Sequence, residues 1–527
     1  MKVLNASAMK EADRQTIEVL GLPGAVLMEV AGQRVAQFII DNYNFNCHVT
    51  VAAGPGNNGG DGMVIARVLL QAGFSVSVWS TVRQEAYRGD AAINREFLDA
   101  LSLPVKTLLT SADLEPFKTD INKSGLIVDA LLGVGVNREV SGLMADVIGI
   151  INDSGATPVL AVDIPSGVSA DDGLIKGCAV RADYTITFAF PKYGLMIGQG
   201  AEIAGKVYVA EINIPPFLAA NQPVELVTIE KVTEALPVHG LNTHKGSRGK
   251  ALLVAGSGGM CGAAVLAAQS AIRGGAGLVY LAAPESACAV LEAKLTEPII
   301  IALPEKEPGI LDHASIALVL EKASECNALA IGPGLKPHPS VFMLIEKVIA
   351  ASQVPVVLDA GALEALAAKP EVLKGAGCPV VVTPHPGEMG RLAGKSTADI
   401  QKNRLSAALE YAVLWNAVLL LKGFNSIIAL PDGRAFINPT GGPGLATAGS
   451  GDLLTGLIVS LIAQGLTAEE AAVTGAFIHG LAGDLTGHQF PSTAGDILEN
   501  YQDTFRLLDK LYRHPEYNQF LRPLRPL

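Results

Sequence analysis

No run of basic residues occurs in this chain of 527 residues, and its formal net charge is −12. A surface that displaces the counterions of DNA or RNA needs clustered Lys and Arg, so a nucleic-acid partner is excluded. Cysteine is sparse and scattered: the six residues at 47, 178, 261, 288, 326 and 378 form no Cys-x-x-Cys pair. That pattern argues against a zinc site or a disulfide framework and reads as thiols of a reducing cytoplasm. Residues 1–10 lack a sustained apolar core and do not form a signal peptide. Residues 251–272 carry no charge and match a membrane span in length, but Gly256-Ser-Gly-Gly259 divides them into strand, loop and helix. No membrane partner is expected, which leaves small molecules as ligands.

What is present is apolar surface for large cores. With 49% hydrophobic and 17% charged residues, the chain reads as a compact globular protein of two domains or more. Strand-like residues 206–214 end at Pro215-Pro216, which places the boundary near Ile214 and gives domains 1–214 and 215–527. The stretch up to Pro237 reads as a connector with one short strand and helix. The end of the chain, from Arg506 onward, is charged and proline-punctuated; it reads as a docking tail or as disorder.

The second half is organised around Gly441-Gly-Pro-Gly-Leu-Ala-Thr-Ala-Gly-Ser-Gly-Asp452. Apolar residues follow at 453, 454, 457, 458, 461 and 462, the stripe of a helix opened by a glycine loop. Asp452 is expected at or beside the N-cap, where a carboxylate is common for structural reasons alone. Gly449, Ser450 and Gly451 allow successive N–H groups to face one point, a cradle for phosphate at a helix N-terminus. A carboxylate there can take the proton from a hydroxyl that attacks the terminal phosphorus. The other strands of this half end at Gly256-Ser-Gly-Gly259, Gly332-Pro-Gly334, Asp359-Ala-Gly361, Thr383-Pro-His385 and Lys422-Gly-Phe-Asn-Ser426. Repeated strand–helix units predict a doubly wound sheet. Gly390 to Ser396 imitates a P-loop but is one residue short and follows no strand directly.

In the first half, residues 8–20 and 25–42 read as helices. A buried strand at 49–53 runs into Gly54-Pro-Gly-Asn-Asn-Gly-Gly-Asp-Gly62 and a helix. Gly54, Gly56 and Gly59 satisfy G-x-G-x-x-G, yet the next strand, 74–80, is followed by Thr81-Val-Arg83 with no acid to hold a ribose. An ordinary redox dinucleotide site is therefore disfavoured. Strands ending at Asp129 and Asp163 should bring their loops to the crevice that also receives Asn58 and Asp61. Asn58, Asp129 and Ser166 form an oxygen-rich, weakly charged set, better suited to potassium than to magnesium.

Ala446-Thr-Ala-Gly-Ser-Gly-Asp452 resembles the anion-hole and base signature of the ribokinase-like fold and, with the strand-end loops above, the NAD(P)H-hydrate dehydratases. Asn57-Asn-Gly-Gly-Asp-Gly62, Asp129-Ala-Leu-Leu-Gly-Val-Gly135 and Val162-Asp-Ile-Pro-Ser-Gly167 together resemble the NAD(P)H-hydrate epimerase domain. The resemblance implies two α/β domains, a Rossmann-like αβα sandwich followed by a ribokinase-like one. It implies repair of both epimers of hydrated NADH and NADPH in the cytoplasm, usually by an oligomer. In the first domain it places Asn57, Asn58, Gly59, Gly60 and Asp61, with Gly133, Val134, Gly135, Val136, Asn137, Arg138 and Glu139, around the substrate. Asp163 lies by the reacting ring, and Asn58, Asp129 and Ser166 hold potassium. In the second domain it places Ala263, Gly334, His385 and Asp452 at the substrate. Lys422, Gly423, Phe424, Asn425, Ser426, Gly442, Gly449, Ser450 and Gly451 are placed at ADP, which is taken with magnesium.

Phe190-Pro-Lys192 also resembles the epimerase family; read alone, Lys192 is a solvated charge at a strand end, and His385 is a turn histidine bonding its neighbours. Relatives often read Asp-Ala-Asp-Ala-Leu where this chain has Asp359-Ala-Gly361-Ala-Leu363. Two other classes remain open: a plain small-molecule kinase for the second half and a non-catalytic scaffold for the first.

Overall fold

The computed structural model describes residues 1–487 and 492–513, and the chain divides into two compact units at Gln222/Pro223. The division falls beyond Ile214 because Ile212, Ile214 and Ala219 still pack into the first core. The short strand expected in a connector instead belongs to the second sheet.

Seven strands build the first unit: β1 (His48–Ala53), β2 (Ser75–Ser80), β3 (Val105–Thr107), β4 (Leu126–Ala130), β5 (Val159–Val162), β6 (Tyr184–Phe188) and β7 (Lys206–Ala210). They pair in parallel in the order β3-β2-β1-β4-β5-β6-β7. Their near-continuous apolar sequences follow from burial on both faces. Val49, Val51, Ala53 and Val128 join one core, while Ala52, Ile127 and Val159 join another on the opposite side. Strand order reverses between β1 and β4, so a crevice opens at their carboxyl ends.

The expected glycine loop after β1 is shorter than its sequence suggests, because the next helix, Asn57–Gln71, begins inside it. Close approach explains the glycines. A Cβ on Gly59 would lie 1.9 Å from the Gly54 carbonyl oxygen, and one on Gly62 would lie 2.8 Å from Ala130 Cβ. The first helix, Ala6–Arg14, likewise differs from the expected single element and continues as a π-helical turn, Gln15–Val19.

The second unit holds β8 (Val224–Leu226), β9 (Lys250–Val254), β10 (Leu278–Pro284), β11 (Ile299–Leu303), a small hairpin of β12 (Glu305–Glu307) and β13 (Ile310–Leu311), β14 (Ala328–Ile331), β15 (Val356–Leu358), β16 (Val380–Val382), β17 (Val418–Leu421), β18 (Ile427–Ala429) and β19 (Ala435–Ile437). Its main sheet runs β11-β10-β9-β14-β15-β16-β17-β18-β19-β8. The stretch from β11 to β17 is parallel, β17-β18-β19 turn back antiparallel, and β8 caps the edge in parallel. Strand order reverses between β9 and β14. The glycine-opened helix, Ser450–Ala463, packs Leu453, Leu457 and Leu461 into the core on one face of this sheet. The final helix, Ala494–Arg513, buries Leu508 and Leu511, so the expected tail is helical through 513; the rest of it lies outside the described residues. Among the described residues no helix is long and apolar enough to cross a membrane.

Candidate functional site

Each unit has its own site at the carboxyl ends of its strands. In the first unit, the residue after β5, Asp163, has φ +66°, a region few residues other than glycine occupy, although Asp and Asn tolerate it best. Its Oδ1 accepts from Thr187 Oγ1 at 3.1 Å, from Phe188 N at 3.0 Å, and from Lys192 Nζ. Lys192 is fully buried, and its ammonium also donates to Thr187 Oγ1 at 2.9 Å and Phe188 O at 3.1 Å. Three acceptors satisfy three donors, which is what a buried ammonium requires. The solvated reading of Lys192 is therefore corrected: it anchors Asp163.

A cavity of about 710 Å³ opens beside this pair. Asn57, Asn58, Asp61, residues 133–139 and Asp163 all line it. Gly59 and Gly60 do not; their missing side chains let the helix pack against Gly54 and Met28. Asp61 is pushed well above the usual carboxylate range by burial, then by the charges of Asp163 and Asp13, with Lys192 opposing. Asp13, which sequence reading missed, lines the same cavity.

Behind the cavity, Asp129 is buried, and burial lifts it to about 6 despite bonds from Ser166 Oγ at 2.5 Å, Ser166 N at 2.8 Å and Leu131 N at 3.2 Å. Leu132 O accepts from Asn58 Nδ2 at 3.1 Å and lies 3.3 Å from Ser166 Oγ. Asn58 Oδ1 is buried without a hydrogen-bond partner among the described residues. An orphaned amide oxygen beside a carbonyl, a hydroxyl and a carboxylate that burial makes costly to ionise fits a monovalent cation.

In the second unit, Asp452 sits in the first turn of its helix rather than at the cap, which is Gly449 at φ +90°. Gly451 is pressed against the neighbouring strand ends: a Cβ there would lie 3.3 Å from Lys422 Nζ and 3.7 Å from Asp359 Oδ2. Lys422 follows β17, and its Nζ donates to Asp359 Oδ1 at 2.9 Å and lies 3.8 Å from Glu388 Oε2. Thr455 Oγ1 holds the other oxygen of Asp359 at 2.7 Å. Burial alone would lower Lys422, but Asp359, Glu388 and Asp452 outweigh it, so its ammonium is held charged. Burial and the Asp359 charge push Asp452 up to about 6 against the pull of Lys422, with Glu388 adding to the rise. The outcome is a carboxylate poised near neutral pH at a helix N-terminus, the arrangement that general-base catalysis beside a phosphate uses.

The remaining expected residues fall around this centre. Gly334 at φ +68° packs on the start of the helix Cys261–Arg273, where a Cβ would lie 3.1 Å from Ala263 Cβ, so Ala263 and Gly334 are neighbours. His385 caps the helix Pro386–Ala393 by accepting from Gly387 N at 3.0 Å and Glu388 N at 3.4 Å, while Glu388 Oε2 accepts from His385 N at 2.8 Å. The turn reading is correct for His385 Nδ1, and its half-exposed ring remains available to a ligand. Lys422 to Ser426 form the turn between β17 and β18, and Ser426 Oγ donates to Gly423 O at 3.1 Å. Buried Arg404 supports that turn by donating to the carbonyls of Phe424 and Asn425. Gly442 precedes the turn Pro443–Leu445 on the way to Gly449. Ser450 is bonded to His479 Nε2 at 2.9 Å, and His479 Nδ1 to Tyr501 OH at 2.9 Å. Burial lowers His479 to about 3 and keeps it neutral.

Sequence reading did not find Glu388, Arg404 or His479. The His385-x-x-Glu388 spacing at the head of a helix was the available signal for Glu388. Asp359 and Gly361 had been noted, and the structure explains the glycine: a Cβ at 361 would lie 2.1 Å from Leu335 O, so no side chain fits.

A family model described as NAD(P)H-hydrate dehydratase matches residues 251–501, and one described as YjeF-related protein N-terminus matches residues 24–194. The bifunctional NAD(P)H-hydrate repair enzyme Nnr of Moorella thermoacetica is 42% identical over 518 residues, 97% of this chain and 98% of the relative. The protein of the same name from Thermofilum pendens is 38% identical over 489 residues, 93% of each chain. Among solved structures, an ADP/ATP-dependent NAD(P)H-hydrate dehydratase from Bacillus subtilis, co-crystallised with ATP/Mg2+, is 31% identical with a TM-score of 0.47, covering 55% of this chain and 99% of that one.

Proposed function

Since this chain belongs to the bifunctional NAD(P)H-hydrate repair enzymes, we propose that its two crevices divide the work between them. The first unit epimerises the C6 carbon of hydrated NADH and NADPH, and the second dehydrates the S epimer at the expense of ADP, giving AMP and phosphate. The observation that carries the second half is Asp452, raised to about 6 in the first turn of a glycine-opened helix and facing Lys422.

Hydroxide is a poor leaving group. Asp452 takes the proton of the C6 hydroxyl as its oxygen attacks the terminal phosphorus of ADP, and the N–H groups of residues 449–451 receive the phosphate charge. The ring nitrogen then expels phosphate, and loss of a C5 proton restores the dihydronicotinamide. Lys422 and the turn it opens run along the nucleotide in this reading, which is supported by Arg404 fixing the backbone of that turn. Magnesium would come with the nucleotide, held by its phosphates and by the Glu388 carboxylate, and the ion would offset phosphate charge there.

In the first unit, Asp163 is the proton-transfer group at the reacting ring, held by Lys192. Asn58, Asp129 and Ser166 would hold potassium, whose charge would order the crevice wall. The enzyme is read as cytoplasmic and oligomeric, acting on small molecules.

The test is recovery of the near-ultraviolet absorbance of reduced nicotinamide from hydrated cofactor. Recovery that depends on nucleotide and proceeds past half of a racemic mixture supports both halves. A stable phosphorylated product would favour a plain kinase, and recovery stopping at half would leave the first unit a scaffold.

A further inference from the structure

The first helix, Ala6–Arg14, reaches the N-terminal cavity from outside the strand-end loops. Leu4, just ahead of it, pairs with Lys192 as a parallel bridge; its N–H donates to Pro191 O at 2.9 Å, and its carbonyl accepts from Tyr193 N at 3.0 Å. Asn5 Oδ1 caps the helix by accepting from Ala8 N at 2.8 Å, and Ala6 N donates to Asp171 Oδ1 at 2.7 Å. Met9, Ala12 and Thr16 bury one face. Lys10, Asp13 and Ile17, spaced by single turns, join the cavity wall, and Met9 lines it beside them.

Asp13 therefore comes from a different wall than Asp163, yet it lies within electrostatic range of both Asp163 and Lys192. Its carboxylate makes no hydrogen bond among the described residues, so no packing role accounts for a half-buried acid there. Burial raises it to about 6, with Lys192 opposing and Asp163 adding, a value at which proton exchange near neutral pH is easy in both directions.

We propose that Asp13 is a second catalytic residue for epimerisation, serving the face of the nicotinamide ring opposite to the one served by Asp163 and Lys192. This rests on reading the cavity as the epimerase site. The two epimers carry the C6 hydroxyl on opposite faces, so interconversion must deliver a proton on one face and remove one on the other. Inverting glycosidases meet the same demand with two carboxyl groups on opposite sides of the sugar.

In one direction the Asp163–Lys192 pair gives a proton to the C6 hydroxyl. The C6–O bond breaks with its electron pair leaving on water, and the N1 lone pair forms N1=C6. A water then adds to C6 from the other face, the N1=C6 pair returns to N1, and the Asp13 carboxylate takes the surplus proton. The pair ends one proton short and Asp13 one proton richer. The reverse reaction, or exchange with solvent, resets both.

The experiment uses the full chain with purified R and S hydrates, following interconversion by chromatography and dehydration of the S hydrate in parallel. Asp13→Asn should lower the kcat of epimerisation by about 10²–10⁴ with KM little changed. Asp13→Glu should regain part of the rate, and dehydration should be untouched in both. The Asn variant should also lose one limb of the pH profile, against the other charged groups that line the cavity: Lys10, Asp61, Asp90, Arg138, Glu139, Asp163 and Lys192. Turnover in oxygen-18 water should label C6. A near-normal kcat in Asp13→Asn, a change in KM alone, or full retention of the original oxygen would overturn the proposal. Asp163→Asn separates the two claims: if it is impaired while Asp13→Asn is not, only the second residue is refuted. If the wild type fails to epimerise, the reading of the cavity falls with it.

Discussion

Replacing Asp452 by asparagine keeps side-chain size while removing the carboxylate, and the structure assigns the change two opposite consequences. Holding this carboxylate at about 6 instead of 3.8 costs the folded unit about 3 kcal/mol at neutral pH. The sign follows from proton binding: between those two values the folded state holds more protons than the unfolded one. Stability therefore falls as pH rises through that window and stays lost above it. Asparagine removes the penalty and forfeits only about 0.3–1 kcal/mol of helix-dipole attraction, so the variant should gain about 2 kcal/mol and melt a few degrees higher at neutral pH. Its dehydration rate should fall by about 10²–10⁴, or about 3–5 kcal/mol of barrier. ADP should bind as well or slightly better, because the backbone N–H groups remain and a negative charge has gone. The assay is nicotinamide recovery from S-hydrate at saturating ADP, with melting and ADP titration on the same preparation. The wild-type kcat/KM should decline as pH drops below about 6, and that limb should vanish in the variant. Near-normal turnover, or a lower melting temperature, would refute the assignment of Asp452 as a strained base.

Asp129→Ala should lower epimerisation and abolish its potassium dependence while leaving dehydration of the S epimer intact; loss of both activities in a folded variant would show that the work is divided differently. Residues 1–222 and 223–527, made separately, should each fold, since each contains its own sheet and core, and molten fragments would contradict this. Gly361→Asp, which restores the residue common in relatives, should destabilise the second unit by about 2 kcal/mol or more, because its Cβ would be forced against the Leu335 carbonyl; an unchanged melting curve would show that this loop is free to shift.

The parallel strands were readable because burial on both faces writes uninterrupted apolar runs, and their carboxyl-end loops follow from topology. Asp163, Lys422 and Asp452 were therefore within reach, each at or beside the end of an element. The other polar residues were hidden for separate physical reasons. Asp13 lies on an amphipathic helix whose pattern is indistinguishable from a surface one until residues 4 and 192 are paired. His479 sits in a helix buried on nearly every side, where no polar face marks it. Lys192 is a buried lysine, a state that composition argues against and only its three acceptors justify. Val224-Glu-Leu226 is too short to announce a strand, and its partner β19 supplies the pairing.

The bridge between Leu4 and Lys192 also dictates an order of events at the ribosome. Residue 4 is among the first to emerge, yet its pairing edge does not exist until residue 191 has followed it. At ordinary synthesis rates that wait is on the order of ten seconds or more, ample time for β1, β2 and β4 to assemble around their own helices. The first segment made is then among the last to be fitted. Late in that interval the nascent unit carries Asp61 and Asp163 in a crevice still open to water, and the wall bearing Asp13 closes it only when the loop carrying Lys192 arrives.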